Sequence, residues 1–285
     1  MDSLWVFKQM NQGITLVCPA KLNLMLQVLS KRLDGMHEIH SHFQLINLFD
    51  EMTIQKSNAS NSWISTDSPL NIENKDNIVY QAISSLRKYT QLDIHCKIHI
   101  TKNIPIGGGL GGGSSNAAAA LIGINTLYDL GLSVTELMNI GVQLGADVPF
   151  FIFGKNAMAS GIGEMLQETD CVDSKFLIIS PDIHSSTGEM FAAWDESNDS
   201  DISENCMECS NSFLPLFLAR NKDLQKIYEE LSHLQEIKLS GTGSTMFCLY
   251  KDHGEIKKTL KKIPTKWRHF FCEPLQCSPL LEYIT

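Results

Sequence analysis

No run of about eighteen consecutive apolar residues occurs in the chain, so no helix of membrane-spanning length is expected. Basic residues are also in deficit. Lys and Arg number 23 against 32 Asp and Glu, a formal net charge of −9. A binder of nucleic acid needs the opposite balance, and no such partner is expected. The first thirteen residues carry neither an apolar signal core nor an Arg/Ser-rich amphipathic run, so no targeting peptide is expected. Of the eight cysteines, only Cys206 and Cys209 lie close together, with no second pair at zinc spacing. No protein-held metal site is therefore expected. The other thiols sit mostly in apolar surroundings, which suits reduced cysteines in a cytoplasmic protein. What remains is a globular composition, 43% hydrophobic and 19% charged over 285 residues. That length accommodates one large or two ordinary domains with a real core.

The most unusual stretch is Pro105-Ile-Gly-Gly-Gly-Leu-Gly-Gly-Gly-Ser-Ser-Asn-Ala117. Gly107, Gly108, Gly109, Gly111, Gly112 and Gly113 leave a loop almost without side chains, with Leu110 at its centre. Ser114, Ser115 and Asn116 are good helix N-caps, and Ala117 to Ala120 is the best helix former repeated. A glycine loop feeding a helix N-terminus binds anions, since unpaired amides and the positive dipole end point the same way. Phosphate is the natural guest. A P-loop needs Gly-Lys-Ser/Thr to close it, but no lysine lies between Lys102 and Lys155. A dinucleotide fold needs its loop after the first strand and an acid about 20 residues on, whereas about a hundred residues precede this loop. A glycine loop serving only close packing of strand and helix remains open on these residues alone.

Along the chain, Ile14 to Leu29 reads as extended and interrupted by Pro19, giving two strands or one bent strand. Lys21 and Asn23 share a face of it. A solvated edge lysine is the plain alternative for Lys21. Asp34-Gly35 marks a turn, followed by His37, His40 and His42 and an extended run from Phe43 to Ile54. Residues 55–75 read as loop. Asn77 to Tyr89 has helical spacing, and Asp93 to Thr101 alternates as a half-buried strand. Gly131 is placed to cap the helix after the loop. Ser133 and Glu136 form a capping box opening a further helix that ends near Gly145. Asp147 then stands alone before an apolar run, where a turn or cap role is its simplest reading. A change of domain is expected near 154–163, dividing the chain into 1–155 and 156–285. Residues 175–181 read as a strand, the acidic stretch 195–212 as a flexible insertion, and 213–217 and 223–234 as helices. Leu239 to Thr245 is a second glycine loop entering a strand. A basic amphipathic helix at 255–263 and a strand at 270–272 end the pattern.

Three of these segments resemble, in order, the motifs of the GHMP kinases: Pro19-Ala-Lys-Leu-Asn-Leu24, the glycine loop with Leu-Gly-Ala-Asp-Val-Pro149 behind it, and Leu239-Ser-Gly-Thr-Gly-Ser-Thr245. They span residues 19 to 245. The resemblance implies an α/β (α+β) fold of two domains with the active site in the cleft between them, and an ATP-dependent kinase acting on a small-molecule alcohol. It makes Lys21 and Asp147 a catalytic pair. It assigns ATP to Pro105, Gly107 to Gly113 including Leu110, Ser114, Ser115, Asn77 and Lys102, with Mg²⁺ bridging the phosphates.

Arg32-x-Asp-Gly-x-His37 points, within the family, to the branch that phosphorylates the 2-hydroxyl of 4-diphosphocytidyl-2-C-methyl-D-erythritol for isoprenoid synthesis. His37 would read the cytosine, with Asn23, Met36, Thr187, Phe191, Gly241 and Thr242 also at the substrate. Met36 stands where the family usually has a tyrosine stacked on the base, and its sulfur can pack there instead. Gly188 stands where proline is common. The alternatives are a kinase of homoserine or a mevalonate-like alcohol, and a non-enzymatic sensing relative. A monomer or homodimer is expected.

Overall fold

The computed structural model describes residues 13–59, 61–67, 76–181, 183–198 and 210–284. Cys206 and Cys209 lie outside them. The chain opens with a long antiparallel hairpin, β1 (Gly13–Lys31) and β2 (His37–Lys56), closed by the turn at Asp34-Gly35. Pro19 does not break β1. It slips the register between Pro19 and Ala20, because proline cannot donate to a ladder, and a second slip follows between Asn23 and Met25. The result is one bent strand whose kinked middle carries Lys21 and Asn23.

Next come β3 (Trp63–Thr66), α1 (Ile78–Thr90), β4 (Cys96–Thr101), α2 (Gly112–Tyr128), α3 (Val134–Val142), α4 (Val148–Phe153), β5 (Ala157–Ser160) and β6 (Met165–Glu168). The larger sheet runs β3-β4-β2-β5-β6, with β1 on the other edge of β2. β5 and β6, beyond residue 155, still pair with this sheet. The second sheet begins with β7 (Lys175–Ser180). After it come α5 (Thr187–Asn198), α6 (Leu214–Arg220), α7 (Lys222–Ser232), β8 (Lys238–Leu239), β9 (Met246–Tyr250), α8 (His253–Leu260) and β10 (Arg268–Cys272). Its strand order is β10-β7-β9-β8. A 3₁₀ turn at Pro279–Tyr283 returns to the first core, where Leu280 is buried. Among the described residues, no helix is long and apolar enough to cross a membrane.

α2 is buried along ten successive residues, Ser115 to Ile124, so it is a central helix rather than an amphipathic one. Ala117 to Ala120 are all fully buried, so the alanines serve close packing as much as helix propensity. A Cβ added at Gly123 would fall 2.5 Å from Leu16 Cδ1. The helix lies directly on β1.

Several expectations change. α2 begins at Gly112 with Gly111 in the cap position, and no side chain caps it. Ser114, Ser115 and Asn116 lie inside its first turns instead. At its far end the left-handed cap is Asp129, two residues before Gly131. The polar stretch 55–75 contains β3, a four-residue edge strand too short for alternation to reveal. Asp195 to Asn198 belong to α5, while Asn211 and Ser212 are buried, so neither end of the acidic stretch is a loose insertion. Asn211 donates to Leu239 O at 2.8 Å and Gly241 O at 2.9 Å, clamping the second glycine loop.

Candidate active site

The glycine loop is fixed by its carbonyls. Gly108 O accepts from Thr245 N at 3.1 Å, Gly109 O from Ser240 Oγ at 2.9 Å, and Leu110 O from Lys21 N at 3.0 Å. In a trans peptide the N–H points opposite to the preceding C=O. The amides of Gly109, Leu110 and Gly111 are therefore turned away from these partners. All three residues line a cavity of about 550 Å³, within the range of small-molecule sites. The uncapped amides of α2 begin at the same place, giving one continuous set of donors for an anion.

Lys102 also lines the cavity, but its ammonium is engaged by Asp50, and by Asn116 Oδ1 at 2.9 Å. Asp50 is fully buried and takes four donors: Lys102 Nζ, Asn103 N at 2.8 Å, Ile104 N at 2.9 Å and Asn116 Nδ2 at 3.1 Å. It joins β2, the entry to the glycine loop and the second turn of α2. A lysine beside a helix N-terminus faces the positive dipole end, and Asp50 offsets that repulsion. No motif marks Asp50, although its one signal, the adjacent charges Asp50 and Glu51 interrupting the largely apolar run from Phe43 to Ile54, is visible in the sequence. Asp50→Ala strands a buried cation and two backbone amides. It should destabilise the fold by about 3–5 kcal/mol. Urea denaturation followed by circular dichroism measures this, and a loss under about 1 kcal/mol, the worth of an exposed pair, would refute the role. Cys18 lies in the same region, and burial, with the Asp50 charge second, pushes its thiol up to about 12. It is an inert packing group.

In the cavity wall, the Lys21 ammonium bonds Asn23 Oδ1 and lies 3.4 Å from Asp147 Oδ2. Lys21 is 3% exposed and Asp147 31%. Asn23 is held in turn by Ser41, to whose Oγ its Nδ2 donates at 2.9 Å, while Ser41 donates to Met25 O at 2.7 Å. Asp147 does occupy the N-cap position of α4, but its side chain makes no cap hydrogen bond. Its carboxylate is turned to Lys21 and the cavity instead. The arrangement offers a carboxylate and an ammonium to a hydroxyl close to the loop amides.

The other end is built by α5 and the second glycine loop. Thr187 and Thr242 meet through their hydroxyls at 3.3 Å, and Ser185 Oγ donates to Thr242 O at 2.7 Å. Thr187, Phe191, Gly241 and Thr242 line the cavity, as do Asn23, Asn77, Pro105, Gly107, Gly108, Gly112, Gly113 and Ser114. Three residues do not. Ser115 is fully buried with no partner for its Oγ among the described residues. Met36 is exposed on the hairpin turn. His37 is one ring removed, stacked on Phe191 at 4.6 Å between centroids. Asn77 caps α1 through its side chain, accepting from Val79 N at 2.9 Å. The cavity also takes Thr66, Asp76 and Phe213, which no sequence motif marked.

Known proteins agree with this architecture. A family model for the N-terminal domain of the GHMP kinases matches residues 77–155. A 4-diphosphocytidyl-2-C-methyl-D-erythritol kinase of Acinetobacter baylyi is 34% identical over 278 residues, covering 95% of this chain and 99% of that protein. The protein of the same name from Francisella tularensis is 39% identical over 250 residues, covering 86% and 90%. The crystal structure of a 4-(cytidine 5'-diphospho)-2C-methyl-D-erythritol kinase superposes with a TM-score of 0.72 at 26% identity, covering 91% of this chain and 98% of that one. Homoserine kinase from Cytophaga hutchinsonii shares the fold at 16% identity, with a TM-score of 0.67 and coverage of 95% and 98%. With a glycine loop at the head of a buried helix, a lysine–aspartate pair beside it and relatives matched over nearly their whole length, the chain belongs to the 4-diphosphocytidyl-2-C-methyl-D-erythritol kinase family of the GHMP kinases.

Proposed function

We propose that the protein transfers the γ-phosphoryl group of ATP to the 2-hydroxyl of 4-diphosphocytidyl-2-C-methyl-D-erythritol. The observation that carries this reading is the Lys21–Asp147 pair, 3.4 Å apart in the wall of the cavity that the glycine loop also lines. Phosphoryl transfer asks mainly for positioning and charge stabilisation. In this reading the amides of Gly109 to Gly111, the start of α2 and the Ser114 hydroxyl receive the phosphates, with Asn77 and Lys102 toward the nucleoside. Asp147 takes the proton of the acceptor hydroxyl as its oxygen bonds the γ-phosphorus and the bond to the β-phosphate oxygen breaks, releasing ADP. Lys21 balances the charge that develops and keeps the Asp147 carboxylate oriented.

Mg²⁺ is implied by the same chemistry. It prefers hard oxygen donors and is usually held by one or two carboxylates together with substrate phosphates. The Ser114 hydroxyl, at the cavity, offers one such hard oxygen beside the phosphates that ATP would supply. When bound, Mg²⁺ neutralises phosphate charge. A cytoplasmic location accords with the free thiols of Cys18, Cys96, Cys248 and Cys272, all buried. ADP release measured against a panel of alcohols tests the substrate. Turnover should be highest with the cytidylated alcohol, and a preference for homoserine or mevalonate would overturn the assignment.

A further inference from the structure

His37 sits in a socket made by one face of α5. Phe191, Trp194 and Asp195 fall at i, i+3 and i+4, the spacing that puts three side chains on one side of a helix. Each takes a different part of the imidazole. Phe191 covers its face at 4.6 Å and 27° between planes. Trp194 meets it edge-on at 5.5 Å and 87°. Asp195 Oδ1 lies 2.7 Å from Nε2. The other oxygen, Asp195 Oδ2, accepts from Lys31 Nζ at the end of β1. The ring is 8% exposed, so its orientation is set by these contacts.

The partners also settle where the ring's proton goes. Hydrogen bonds from Lys31 first, and then from His37, hold the Asp195 carboxyl below its ordinary range. An ionised carboxylate only accepts, so the shared proton belongs to His37 Nε2. The neutral ring then presents a lone pair at Nδ1, which has no protein partner among the described residues. Such an atom welcomes an amino group and rejects a carbonyl oxygen.

We propose that Asp195 is a specificity-determining positioning residue, holding His37 with Nε2 protonated so that Nδ1 selects a base bearing an amino donor, cytosine over uracil. The inference rests on the proposed cytidylated substrate. Phe191, on which His37 stacks, lines the cavity and brings the socket to its wall. Nothing in the acidic stretch beginning at Asp195 marks this residue in the sequence. Its role appears only once α5 places it one turn from Phe191.

Calorimetry with cytidine 5'-diphosphate and uridine 5'-diphosphate tests it, on the full chain with the ATP site saturated by ADP. The wild type should prefer the cytidine compound. Asp195→Ala should reduce that preference by roughly 3- to 10-fold, the size of one hydrogen bond, with ADP affinity unchanged. In a His37→Ala background the same substitution should change nothing further, since Asp195 acts only through that ring. An undiminished preference in Asp195→Ala would overturn the inference. So would an equal loss in the His37→Ala background, which would mean that Asp195 meets the ligand itself. A wild type indifferent to the base would bring down the substrate reading, and the inference with it. Nitrogen-15 spectra of His37 give a second check that needs no ligand. Nδ1 should appear unprotonated in the neutral ring, and a proton found there instead would contradict the assignment.

Discussion

Asp147→Asn should lower kcat by about 10²- to 10⁴-fold, the usual worth of a general base, while KM for both substrates stays near the wild-type value. Asparagine keeps the size of the side chain and one oxygen toward Lys21, but it cannot take a proton. The fold should tolerate the change. Asp147 makes no cap hydrogen bond at the head of α4, and it is 31% exposed. Loss of activity is then separable from loss of structure, which a thermal melt of the variant checks. Lys21→Ala should also lower kcat, and the double variant should lose less than the product of the two single losses, because the pair acts as a unit. Retention of more than about a tenth of wild-type kcat, with chemistry rate-limiting, lies below the general-base range. That result would reduce Asp147 to the helix-end residue that its position alone describes.

The parts of the site written as contiguous motifs were legible in the sequence, and the parts assembled across the fold were not. The glycine loop announces itself because only glycine at that density leaves amides bare. Lys21 and Asn23 were placed on one face by strand parity, and the bend at Pro19 by the missing amide. Asp50, Asn211 and Asp195 escaped for a shared reason. Each acts on a partner far along the chain: Asp50 on Lys102, Asn211 on Gly241, Asp195 on His37. Composition also misled. The acidic, Asn- and Ser-rich stretch 195–212 reads as a flexible insertion, yet its two described ends are a helical turn and a buried clamp. The short strands β3, β5 and β6 have four residues each, too few for a period of two to stand out. α5 carries Gly188 and several acids, and its apolar residues follow no clean helical stripe.

Gly109→Val should abolish ATP binding. Gly109 has φ of +75°, a region where a side chain costs about 1–2 kcal/mol. Strain is the smaller part. A Cβ there would stand 2.1 Å from the carbonyl oxygen of Ser240 and 3.1 Å from that of Gly243. Those atoms are backbone, in a loop tied down by Asn211 and by Thr245, so they cannot swing aside as a flexible side chain can. The glycine loop must move instead, breaking the contact from Ser240 Oγ to Gly109 O that aims the following amide at the cavity. The amides of Leu110 and Gly111 move with it, and the anion site is lost. Gly131→Ala separates the two causes. Gly131 also has positive φ, +67°, but nothing lies within 4 Å of a Cβ added there. That variant should lose about 1–2 kcal/mol of stability and bind ATP as the wild type does. Calorimetric titration with ATP on both proteins, each first shown to be folded by circular dichroism, decides the matter. Undiminished affinity in a folded Gly109→Val protein would mean that the loop packs strand against helix and holds no phosphate.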